Sequence, residues 1–581
     1  MAATDARRKS APATEKRSTR RTSTDHIETE WQFEADDLAA VEEWLKHRPP
    51  GKDLFIEPKA SRDVRDTYLD TEDRRVHRAG YALRVRETDG AFEATMKSLT
   101  SGNKDGTRRR REISEPLKDA AALLRKTTGP VSERLRALTG GLSHKDHEPR
   151  PLFEVRTQRS VFELRNAPQD ANGDSVMDAS GNVRPLTPEE RAVGVGEVAL
   201  DATEITVGDN REPALLLRRV EVETEGNPSP LLKQFVEALR DVLKLEAVLE
   251  SKYEAGLAFS GLTSDPAPDF GPTTVKRSMP TGAVAFAVLR GQLAEMQAHE
   301  PGARLGEDSE ELHDMRVATR RMRAAMKLFE EALPEKCRRF REELKFFAGV
   351  LGEVRDLDVQ IADERDRAER TAENDQEPVE QIVEALEKER TEARKALLET
   401  LDSERYERFG TYLATMLREE PKDESAAEPI AVAGLGLISS AHGKWLKAAK
   451  RLKEDSPPEA YHDLRKKGKR LRYALEFLSG VYGKKRTAKV IASLKEVQDV
   501  LGVQQDAIVA AERLRSLAVS RRRLTRATVF EMGVHAERRL READAARSGF
   551  TKSNVFKTLT KGKAWKDFAK EMRGTVKKAR K

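Results

Sequence analysis

Hydrophobic and polar positions follow two different periods along the chain, and the change of period divides it. In residues 26–258 apolar residues alternate with charged ones in short runs, as in Tyr81-Ala-Leu-Arg-Val-Arg86 and Leu217-Arg-Arg-Val-Glu-Val-Glu223. A period of two predicts strands. From residue 281 to about 550 the apolar spacing is helical. Residues 259–280 contain four prolines and two glycines, which predict a linker.

Domain boundaries follow from the same patterns. Helical pieces at Ala35 to Lys46 and Pro230 to Leu243 interrupt the strand region, and residues 166–196, rich in Asn, Gly, Asp, Ser and Pro, predict a long loop. We therefore expect a disordered basic arm over residues 1–25, a strand domain over 26–258, a linker over 259–280, a helical domain over 281–550 with a joint near 420–430, and a basic tail over 551–581.

The helical region contains an internal repeat. Leu312-His-Asp-Met-Arg316 matches Tyr461-His-Asp-Leu-Arg465, at an offset of 149 residues. Further on, Val350-Leu-Gly-Glu-Val-Arg-Asp356 matches Val500-Leu-Gly-Val-Gln-Gln-Asp506, at an offset of 150 residues. Two helical halves related by duplication are the natural interpretation.

Each copy of the repeat carries a stripe of basic side chains. In the first copy they lie at i, i+3, i+7, i+10 and i+14, and the second copy repeats this spacing, which places them on one face of a helix. The stripes are His313, Arg316, Arg320, Arg323 and Lys327 in the first copy, and His462, Arg465, Lys469 and Arg472 in the second. Met315, Met322, Met326 and Phe329 fall on another face and are expected to face the core.

A basic stripe on one helix is most often a solvated surface. Here the acids that could neutralise the stripes at i±4 are scarce, and the stripe occurs twice. Two opposed cationic stripes repel each other unless an anion lies between them, and guanidinium groups bind phosphate oxygens well. Polyphosphate suits such a groove. Nucleic acid is less favoured because no aromatic side chains interleave with the stripe. His313 and His462 are interpreted as phosphate donors or helix residues rather than metal ligands.

These residues resemble the CHAD domain, a helical, histidine-containing domain commonly found with CYTH. The resemblance covers about residues 281–550, including both His-x-x-Arg helices and the segment Arg355-Asp356-x-Asp358. It implies an all-α duplicated bundle that binds polyphosphate through the two stripes.

Charged pairs also mark the strand region. Glu28 and Glu30 are two residues apart, as are Glu221 and Glu223, so each pair points to one side of its strand with a spacing of about 7 Å. Taken alone, each pair is most often the wet face of a sheet. If the sheet closes, however, they line a charged lumen. Clustered carboxylates there would hold a hard divalent cation, and clustered Arg and Lys would hold phosphates.

An ordered series of motifs resembles the CYTH family, the triphosphate tunnel metalloenzymes. The series is Glu28-x-Glu30, Asp66-Thr-Tyr-Leu-Asp70, Gly80-Tyr-Ala-Leu-Arg-Val-Arg86, Met96-Lys97, Arg110-x-Glu112, Glu197-Val-Ala-Leu-Asp201, Glu221-x-Glu223 and Ser251-Lys-Tyr253. The resemblance spans about residues 26–258. It implies an α+β chain in which an antiparallel eight-stranded β tunnel precedes the helical bundle.

The family hydrolyses triphosphate-containing substrates with Mg²⁺ or Mn²⁺, and its site residues are carried over by position. The resemblance implies phosphate binding by Arg84, Arg86, Lys97, Arg110, Arg159 and Lys252. It implies metal binding or orientation of the attacking water by Glu28, Glu30, Asp201, Glu221 and Glu223, with Glu28, Glu30 and Lys97 as the catalytic set. The resemblance does not fix which arginine of Arg108–Arg111 matches the family's phosphate-binding position. Arg110 is assigned to it because Arg110 shares a strand face with Glu112.

One position departs from the family's opening motif, Glu-x-Glu-x-Lys. Its third position is Gln32, which keeps a hydrogen-bonding group but lacks the positive charge. Losing a donor to the transition state costs on the order of 10²–10³ in rate. The substitution therefore weighs against catalysis more than against binding.

Composition and charge distribution indicate which partners and which cellular compartment to expect. Residues 1–25 carry a net charge of +4 and residues 552–581 one of +9, so residues 26–550 carry −7 although the whole chain carries +6. Tails of this composition are usually disordered, and either solubilise the chain or attract polyanions. The single cysteine, Cys337, excludes an intrachain disulfide and a Cys-rich zinc site. We expect a cytoplasmic protein without a membrane span, associated with polyphosphate granules.

The leading hypothesis is an inorganic triphosphatase that also binds polyphosphate, because two separate phosphate-type charge arrays lie on one chain. The alternative is a non-catalytic polyphosphate-binding or granule-targeting protein, which Gln32 and the basic tails favour. A weaker third possibility is a nucleic-acid binder acting through residues 552–581.

Overall fold

The computed structural model describes residues 25–47, 54–100, 102–140, 147–167, 194–208, 214–262, 269–370, 376–419, 427–520 and 524–580. These residues form two compact units. The first consists of residues up to Asp70, Gly80–Leu135 and Pro149–Ser264, and the second of Thr71–Ala79, Arg136–Glu148 and the residues from Asp265 onward. The predicted arm over residues 1–25, except Asp25, lies outside the described residues, as do most of the predicted loop 166–196 and of the joint 420–430.

Antiparallel strands build the first unit. They are β1 (Asp25–Glu34), β2 (Leu54–Pro58), β3 (Arg62–Asp70), β4 (Tyr81–Thr88), β5 (Ala91–Ser98), β6 (Thr107–Leu117), β7 (Arg150–Asn166), β8 (Gly194–Thr206), β9 (Leu215–Glu225) and β10 (Glu246–Ala247). Eight of them follow the order β1-β6-β5-β4-β3-β7-β8-β9, and β9 pairs with β1 again. The sheet is therefore a closed barrel, and the predicted eight-stranded antiparallel tunnel is confirmed. Of the remaining two, β2 pairs with β7 and β10 with β1.

Strand alternation decides which side chains enter the barrel. On β1 the apolar residues Trp31 and Phe33 point outward and pack with Val220 and Val222 of β9 in one hydrophobic cluster. The charged residues between them point inward. This is the reverse of an ordinary small barrel, whose interior is filled by apolar side chains. The lumen can be polar because the apolar face of the sheet points outward and is buried against other elements.

Helices of the first unit cover that apolar face. This unit contains α1 (Leu38–His47), α3 (Ala122–Arg125), most of α4 (Pro130–Thr139), α5 (Pro230–Leu243) and α6 (Lys252–Phe259). Helix α2 (Arg75–Arg78) and the end of α4 are grouped with the second unit. Ser229 caps α5 by accepting a hydrogen bond from the backbone of Leu232, with Pro230 at the first helical position. Helices α1 and α5 pack their apolar sides into the cluster beneath β1 and β9.

The second unit is helical. Its main helices are α7 (Thr281–Leu305), α8 (Ser309–Leu328), α9 (Cys337–Arg370), α10 (Gln376–Leu401), α11 (Glu404–Arg418), α12 (Ile430–Arg451), α13 (Pro458–Phe477), α14 (Ser479–Tyr482), α15 (Lys484–Ser520), α16 (Arg526–Arg547), α17 (Asn554–Lys561) and α18 (Lys563–Ala579). Met315, Met322, Met326 and Phe329 are each at most 2% exposed, so the predicted core face of α8 is confirmed. The repeat motifs fall on α8 and α13, and on α9 and α15.

The expectation of a disordered C-terminal tail is wrong for residues 552–580. They form α17 and α18, and Phe568 and Met572 are fully buried in the core of the helical unit. Basic residues alone would leave the segment disordered, but an apolar residue at every third or fourth position gives it a face to bury. No helix among the described residues is both long and apolar enough to cross a membrane.

Candidate functional site

The inner face of β1 carries the centre of the barrel site. Glu28, Glu30 and Gln32 point to one side of the strand and are 7%, 1% and 2% exposed. The neighbouring strands place further charged residues opposite them, since Glu28 pairs in register with Arg110 of β6 and Glu30 with Glu223 of β9. Two carboxylates directly opposite each other repel unless a positive charge lies between them.

Glu28, Glu30 and Glu223 form an acidic cluster, in which one carboxylate oxygen of each lies within 4.8 Å of the others. Burial raises the pKa of Glu28 well above its ordinary value; Lys97 opposes this shift, and the nearby carboxylates Glu223, Glu112 and Glu30 reinforce it. Burial thus disfavours the ionised form of Glu28, and a divalent cation would favour it. An all-oxygen donor set of this kind fits Mg²⁺ or Mn²⁺.

Lys97 of β5 reaches the acidic cluster from the opposite side. Its Nζ contacts Glu28, lies 3.5 Å from a carboxylate oxygen of Glu30 and lies 3.1 Å from one of Glu112. These carboxylates raise the pKa of Lys97 in spite of its burial, which lowers it. The side chain is thus a permanent cation beside the place where a metal would be held.

Asp201 and Glu221 lie outside the acidic cluster. Arg159 makes a bidentate contact with Asp201, at 2.8 and 2.7 Å, and reaches Glu221 at 2.7 Å. Lys252 also contacts Asp201 and lies 3.0 Å from Glu221. These two predicted metal ligands are therefore engaged by two of the predicted phosphate ligands, and Lys252 together with Arg159 lowers the pKa of Glu221 against the effect of its burial.

A helix cap sets the position of Lys252. Ser251 accepts a hydrogen bond from the backbone N–H of Glu254, while the Glu254 side chain accepts one from the backbone N–H of Ser251. This reciprocal capping box starts α6 at Lys252 and fixes its backbone at the wall of the lumen. The motif Ser251-Lys252-Tyr253 is thus an anchor for one cationic side chain.

Arg84 and Arg86 of β4 share one carboxylate partner. Arg86 makes a bidentate contact with Asp66 at 2.8 Å for both bonds, and Arg84 lies 3.6 Å from the same carboxylate. A single carboxylate cannot saturate two guanidinium groups, and the Nε of Arg84 is buried without a hydrogen-bond partner among the described residues. The guanidinium of Arg110 contacts Glu30, and its Nε is likewise buried without a hydrogen-bond partner among the described residues.

Gln32 occupies the position of the family's lysine. Its Nε2 donates to Glu30 at 3.1 Å and to Glu221 at 3.2 Å, so the amide bridges two carboxylates. Its Oε1 is buried and has no hydrogen-bond partner among the described residues. The amide thus provides the hydrogen bonds of a lysine without its charge.

One cavity collects the predicted barrel residues. Its lining includes Glu28, Glu30, Gln32, Arg84, Arg86, Lys97, Arg110, Arg159, Glu221, Glu223 and Lys252, whereas Asp201 touches it only through Arg159 and Lys252. The sequence motifs contain Asp66 and Glu112 but assign them no role. Both face a predicted cation directly across one hairpin, Asp66 opposite Arg86 and Lys97 opposite Glu112. Pairing of consecutive strands was the signal that could have identified them.

In the helical unit, α8 and α13 bring their stripes together. The guanidinium of Arg320 on α8 lies 6.0 Å from the ring centre of Tyr473 on α13. Burial, and then the positive charges of Arg320, Arg465 and Arg316, lower the pKa of Lys469 to about 7. The side chains that converge here, named the basic cluster below, are Arg316, Arg320, Arg465, Lys469 and Arg472.

Two donors of the basic cluster have no acceptor. The Nε atoms of Arg320 and Arg465 are buried and lack a hydrogen-bond partner among the described residues, whereas the Nε of Arg472 lies 3.5 Å from a carboxylate oxygen of Glu476. Unpaired buried donors are costly, at about 1–3 kcal/mol each and more for charged groups. Two such donors within a group of five converging cations favour a multivalent anion as their partner.

The second repeat motif lies beneath the basic cluster. Arg316 lies 3.5 Å from a carboxylate oxygen of Asp356 on α9. A Cβ added to Gly352 would meet Arg316 at 3.4 Å, and one added to Gly502 would meet Arg465 at 3.3 Å. The two equivalent glycines thus let one guanidinium from each copy lie close against α9 and α15.

The remaining stripe residues lie at the margins. Lys327 makes an ion pair with Glu330 at the end of α8, and the charges acting on Arg323 are those of Glu342, Arg341 and Arg470. The two histidines also flank the basic cluster. Burial, followed by neighbouring cations, lowers the pKa of both His313 and His462, and both Nδ1 atoms are buried without a hydrogen-bond partner.

Comparison with protein-family models finds two matches. The CYTH domain matches residues 26–256 and the CHAD domain residues 287–515. A search of curated proteins finds no match. Solved structures include the CHAD domain from the plant Ricinus communis, 27% identical with a TM-score of 0.42, covering 48% of this chain and 95% of that one.

Two further solved structures illustrate the range of similarity. PptA from Streptomyces chartreusis is 23% identical with a TM-score of 0.38, covering 47% of this chain and 98% of its own. HpAC1 from Hippeastrum, described with a dominant triphosphatase activity, is 15% identical with a TM-score of 0.25, covering 41% of this chain and 97% of its own. The two family matches, in the order that the barrel and the bundle follow, assign the chain to the proteins that join a CYTH domain to a CHAD domain.

Proposed function

We propose that the CYTH barrel hydrolyses inorganic triphosphate with Mg²⁺ or Mn²⁺ and that the CHAD domain binds polyphosphate. The observation that carries the first part is the division of one lumen into an acidic cluster, Glu28, Glu30 and Glu223, and a surrounding set of buried cations. Phosphoryl transfer to water needs charge neutralisation and positioning on both sides of the phosphorus, and this division provides both.

The residues of this chain have separable tasks in that reaction. Glu28, Glu30 and Glu223 would hold the divalent cation, which when bound neutralises phosphate charge and polarises a phosphoryl oxygen. Arg84, Arg86, Lys97 and Arg110 would bind the phosphate oxygens. The free Nε donors of Arg84 and Arg110 are available for this without breaking an existing hydrogen bond.

Arg159 and Lys252 complete the phosphate side of the lumen. Their carboxylate partners, Asp201 and Glu221, hold both cations in place while leaving other donors of each side chain available. The sequence contains no evident nucleoside-binding motif, which favours an inorganic substrate over a nucleotide.

Phosphate release from tripolyphosphate tests the proposal. We expect release that requires Mg²⁺ or Mn²⁺ and stops on addition of EDTA. Release at the same rate without any divalent cation would contradict the metal-dependent reaction. A series of chain lengths, from pyrophosphate to long polyphosphate, measures the preferred substrate in the same assay.

The alternative is a non-catalytic polyphosphate-binding or granule-targeting protein with a degenerate barrel site. Gln32 favours this function because the charge of the family's lysine is missing from the lumen. It predicts tight polyphosphate binding with no phosphate release above the background of the buffer at any metal concentration.

Polyphosphate binding by the CHAD domain is tested on the basic cluster. Arg320→Ala/Arg472→Ala removes one guanidinium group from each stripe. The Nε of Arg320 has no hydrogen-bond partner among the described residues, and the Nε of Arg472 lies 3.5 Å from Glu476. We expect the affinity for polyphosphate to fall by about 10²-fold, at about 1.5 kcal/mol for each lost charged hydrogen bond. Arg365→Ala/Arg370→Ala, on the exposed part of α9, removes the same charge and is expected to change the affinity little. Equal affinities of the two variants would contradict the site.

Binding should also depend on pH through Lys469. In the protein without a bound anion, Lys469 has a pKa of about 7. A bound anion favours the charged form of Lys469, so anion binding above pH 7 is accompanied by uptake of a proton. Affinity should therefore fall by about tenfold between pH 6 and pH 8. Lys469→Arg, which stays charged, should flatten this dependence, as measured by titration calorimetry. An unchanged pH profile in that variant would assign the dependence to other groups, such as His313 and His462.

A further inference from the structure

The C-terminal helix α18 lies outside both family matches and has two different faces. The CHAD match ends at residue 515. The apolar face of α18 is docked, because Phe568 and Met572 are fully buried and Trp565 stacks on His442 of α12 at 3.5 Å between ring centres. Helix α18 is therefore a fixed part of the helical unit, and its opposite face has a defined position.

That opposite face is a row of cations. Lys566, Lys570, Arg573 and Lys577 are all exposed and lie at i, i+4, i+7 and i+11, which forms one stripe about 16 Å long. Asp567 is the only exposed acid in α18. The four basic side chains make no ion pair with any described residue. The stripe therefore presents its full charge to the solvent.

Two of the helices that pack against α18, namely α12 and α15, also carry exposed cations. Lys447 and Lys450 of α12 and Lys484 and Lys485 at the start of α15 are exposed, and none of them has a carboxylate within 4.0 Å in the described part of the chain. Helix α12 contains no acidic residue. These eight side chains, Lys447, Lys450, Lys484, Lys485, Lys566, Lys570, Arg573 and Lys577, are named the terminal basic face.

Several surface cations in the first half of the helical unit are ion-paired, whereas others there, such as Lys336, Arg339 and Lys345, are exposed without an ion pair among the described residues. Arg365 pairs with Glu387, Arg370 with Asp366, and Lys388 with Glu384 at 2.7 Å. Ion pairs of this kind are the usual state of a solvated basic face. In the terminal basic face eight such unpaired cations lie on α18 and on two helices that pack against it, so the face as a whole keeps its positive charge.

We propose that the terminal basic face is a second polyphosphate-binding surface, which engages long chains that the basic cluster has also bound. The inference rests on the proposed polyphosphate binding of the CHAD domain. A polymer that contacts two surfaces of one unit gains affinity by effective concentration, whereas a short chain contacts one. Single-stranded nucleic acid is disfavoured because the aromatic rings nearest to the face, Trp565 and Phe568, are stacked or buried and cannot receive a base.

The experiment compares two charge-matched variants of the full chain on two probes. Lys566→Ala/Lys570→Ala/Arg573→Ala/Lys577→Ala removes four charges from the terminal basic face. Its control replaces Arg365, Arg370, Lys388 and Arg405 by alanine, four exposed and ion-paired cations. The probes are polyphosphate of about 100 units and polyphosphate of about eight units, and circular dichroism checks that each variant is folded.

We expect the terminal variant to bind the long probe at least tenfold more weakly than the control does, with equal affinities for the short probe. The slope of log Kd against log salt concentration for the long probe should fall by about 3, since each lost phosphate contact removes about 0.7. Equal affinities of terminal and control variants for the long probe would overturn this proposal alone. Duplex RNA serves as an additional probe for the same variants. If the terminal variant keeps its affinity for long polyphosphate but loses binding to duplex RNA, the proposal is overturned and the face is assigned to nucleic acid.

Failure of the proposed function gives a different result. If Arg320→Ala/Arg472→Ala leaves the binding of the eight-unit probe unchanged, the basic cluster is not the polyphosphate site, whatever the terminal variant does. If the unaltered chain binds neither probe, both proposals are wrong.

Discussion

Glu30→Gln/Glu223→Gln should lower the rate of phosphate release from tripolyphosphate by at least about 10³-fold. The two carboxylates face each other across the pairing of β1 with β9 and supply two of the three oxygen donors of the acidic cluster. Glutamine keeps their size but removes two negative charges, and it replaces one acceptor oxygen of each carboxylate by an NH₂ donor. The divalent cation should then bind weakly, and the remaining donor, Glu28, cannot hold it alone.

The control for this variant lies on the outer wall of the same barrel. Glu154 of β7 contacts Arg65 and Arg156, so Glu154→Gln removes a paired carboxylate without touching the lumen. It should leave the rate unchanged. Titration of Mn²⁺ without substrate gives a second readout, in which only the double variant should lose affinity. A double variant that hydrolyses tripolyphosphate at the unaltered rate would remove the acidic cluster from the reaction.

The sequence predicts which side chains enter the lumen but not how they group there. Strand alternation places Glu28, Glu30, Glu221 and Glu223 on inner faces, and the structure agrees. Which of them meet depends on the register of β1 with β9, two strands far apart in sequence: Glu30 lies opposite Glu223, and Gln32 lies opposite Glu221. A shift of this register by about two residues would place Glu221 opposite Glu30 instead of Glu223, and nothing local in the sequence fixes the register.

In the helical unit, the sequence predicted which distant segments meet but not the structure of the C-terminal segment. The repeat predicts that its two copies meet, since duplicated halves commonly pack about a shared axis, and the charges of Arg320 and Arg465 do act on Lys469. The sequence pattern failed at the C-terminus instead. Trp565, Phe568, Met572 and Val576 recur at helical spacing, but the surrounding lysines suggested a disordered tail. Periodicity was the better guide there, because burial of an apolar face outweighs exposed charge.

Gln32→Lys should increase the rate of tripolyphosphate hydrolysis by about 10²-fold. Gln32 is 2% exposed, and its amide nitrogen already lies 3.1 Å from Glu30 and 3.2 Å from Glu221. A lysine at this position can keep both contacts and adds one positive charge to the lumen. That charge would favour the transition state, in which negative charge moves onto oxygens of the phosphate chain.

The matched variant Gln32→Met separates the charge from the hydrogen bonds. Methionine has a similar length but neither donates to Glu30 and Glu221 nor carries charge, so the two carboxylates lose a shared donor in a buried site. We expect Gln32→Met to be slower than the unaltered chain and Gln32→Lys to be faster, as measured by initial rates at saturating metal. If Gln32→Lys is no faster, the lumen already supplies the missing charge through Lys97 or Arg110, and the glutamine is not what limits catalysis. If both variants are inactive while polyphosphate binding persists, the amide itself is required, because its unpaired Oε1 is the one feature that both substitutions remove.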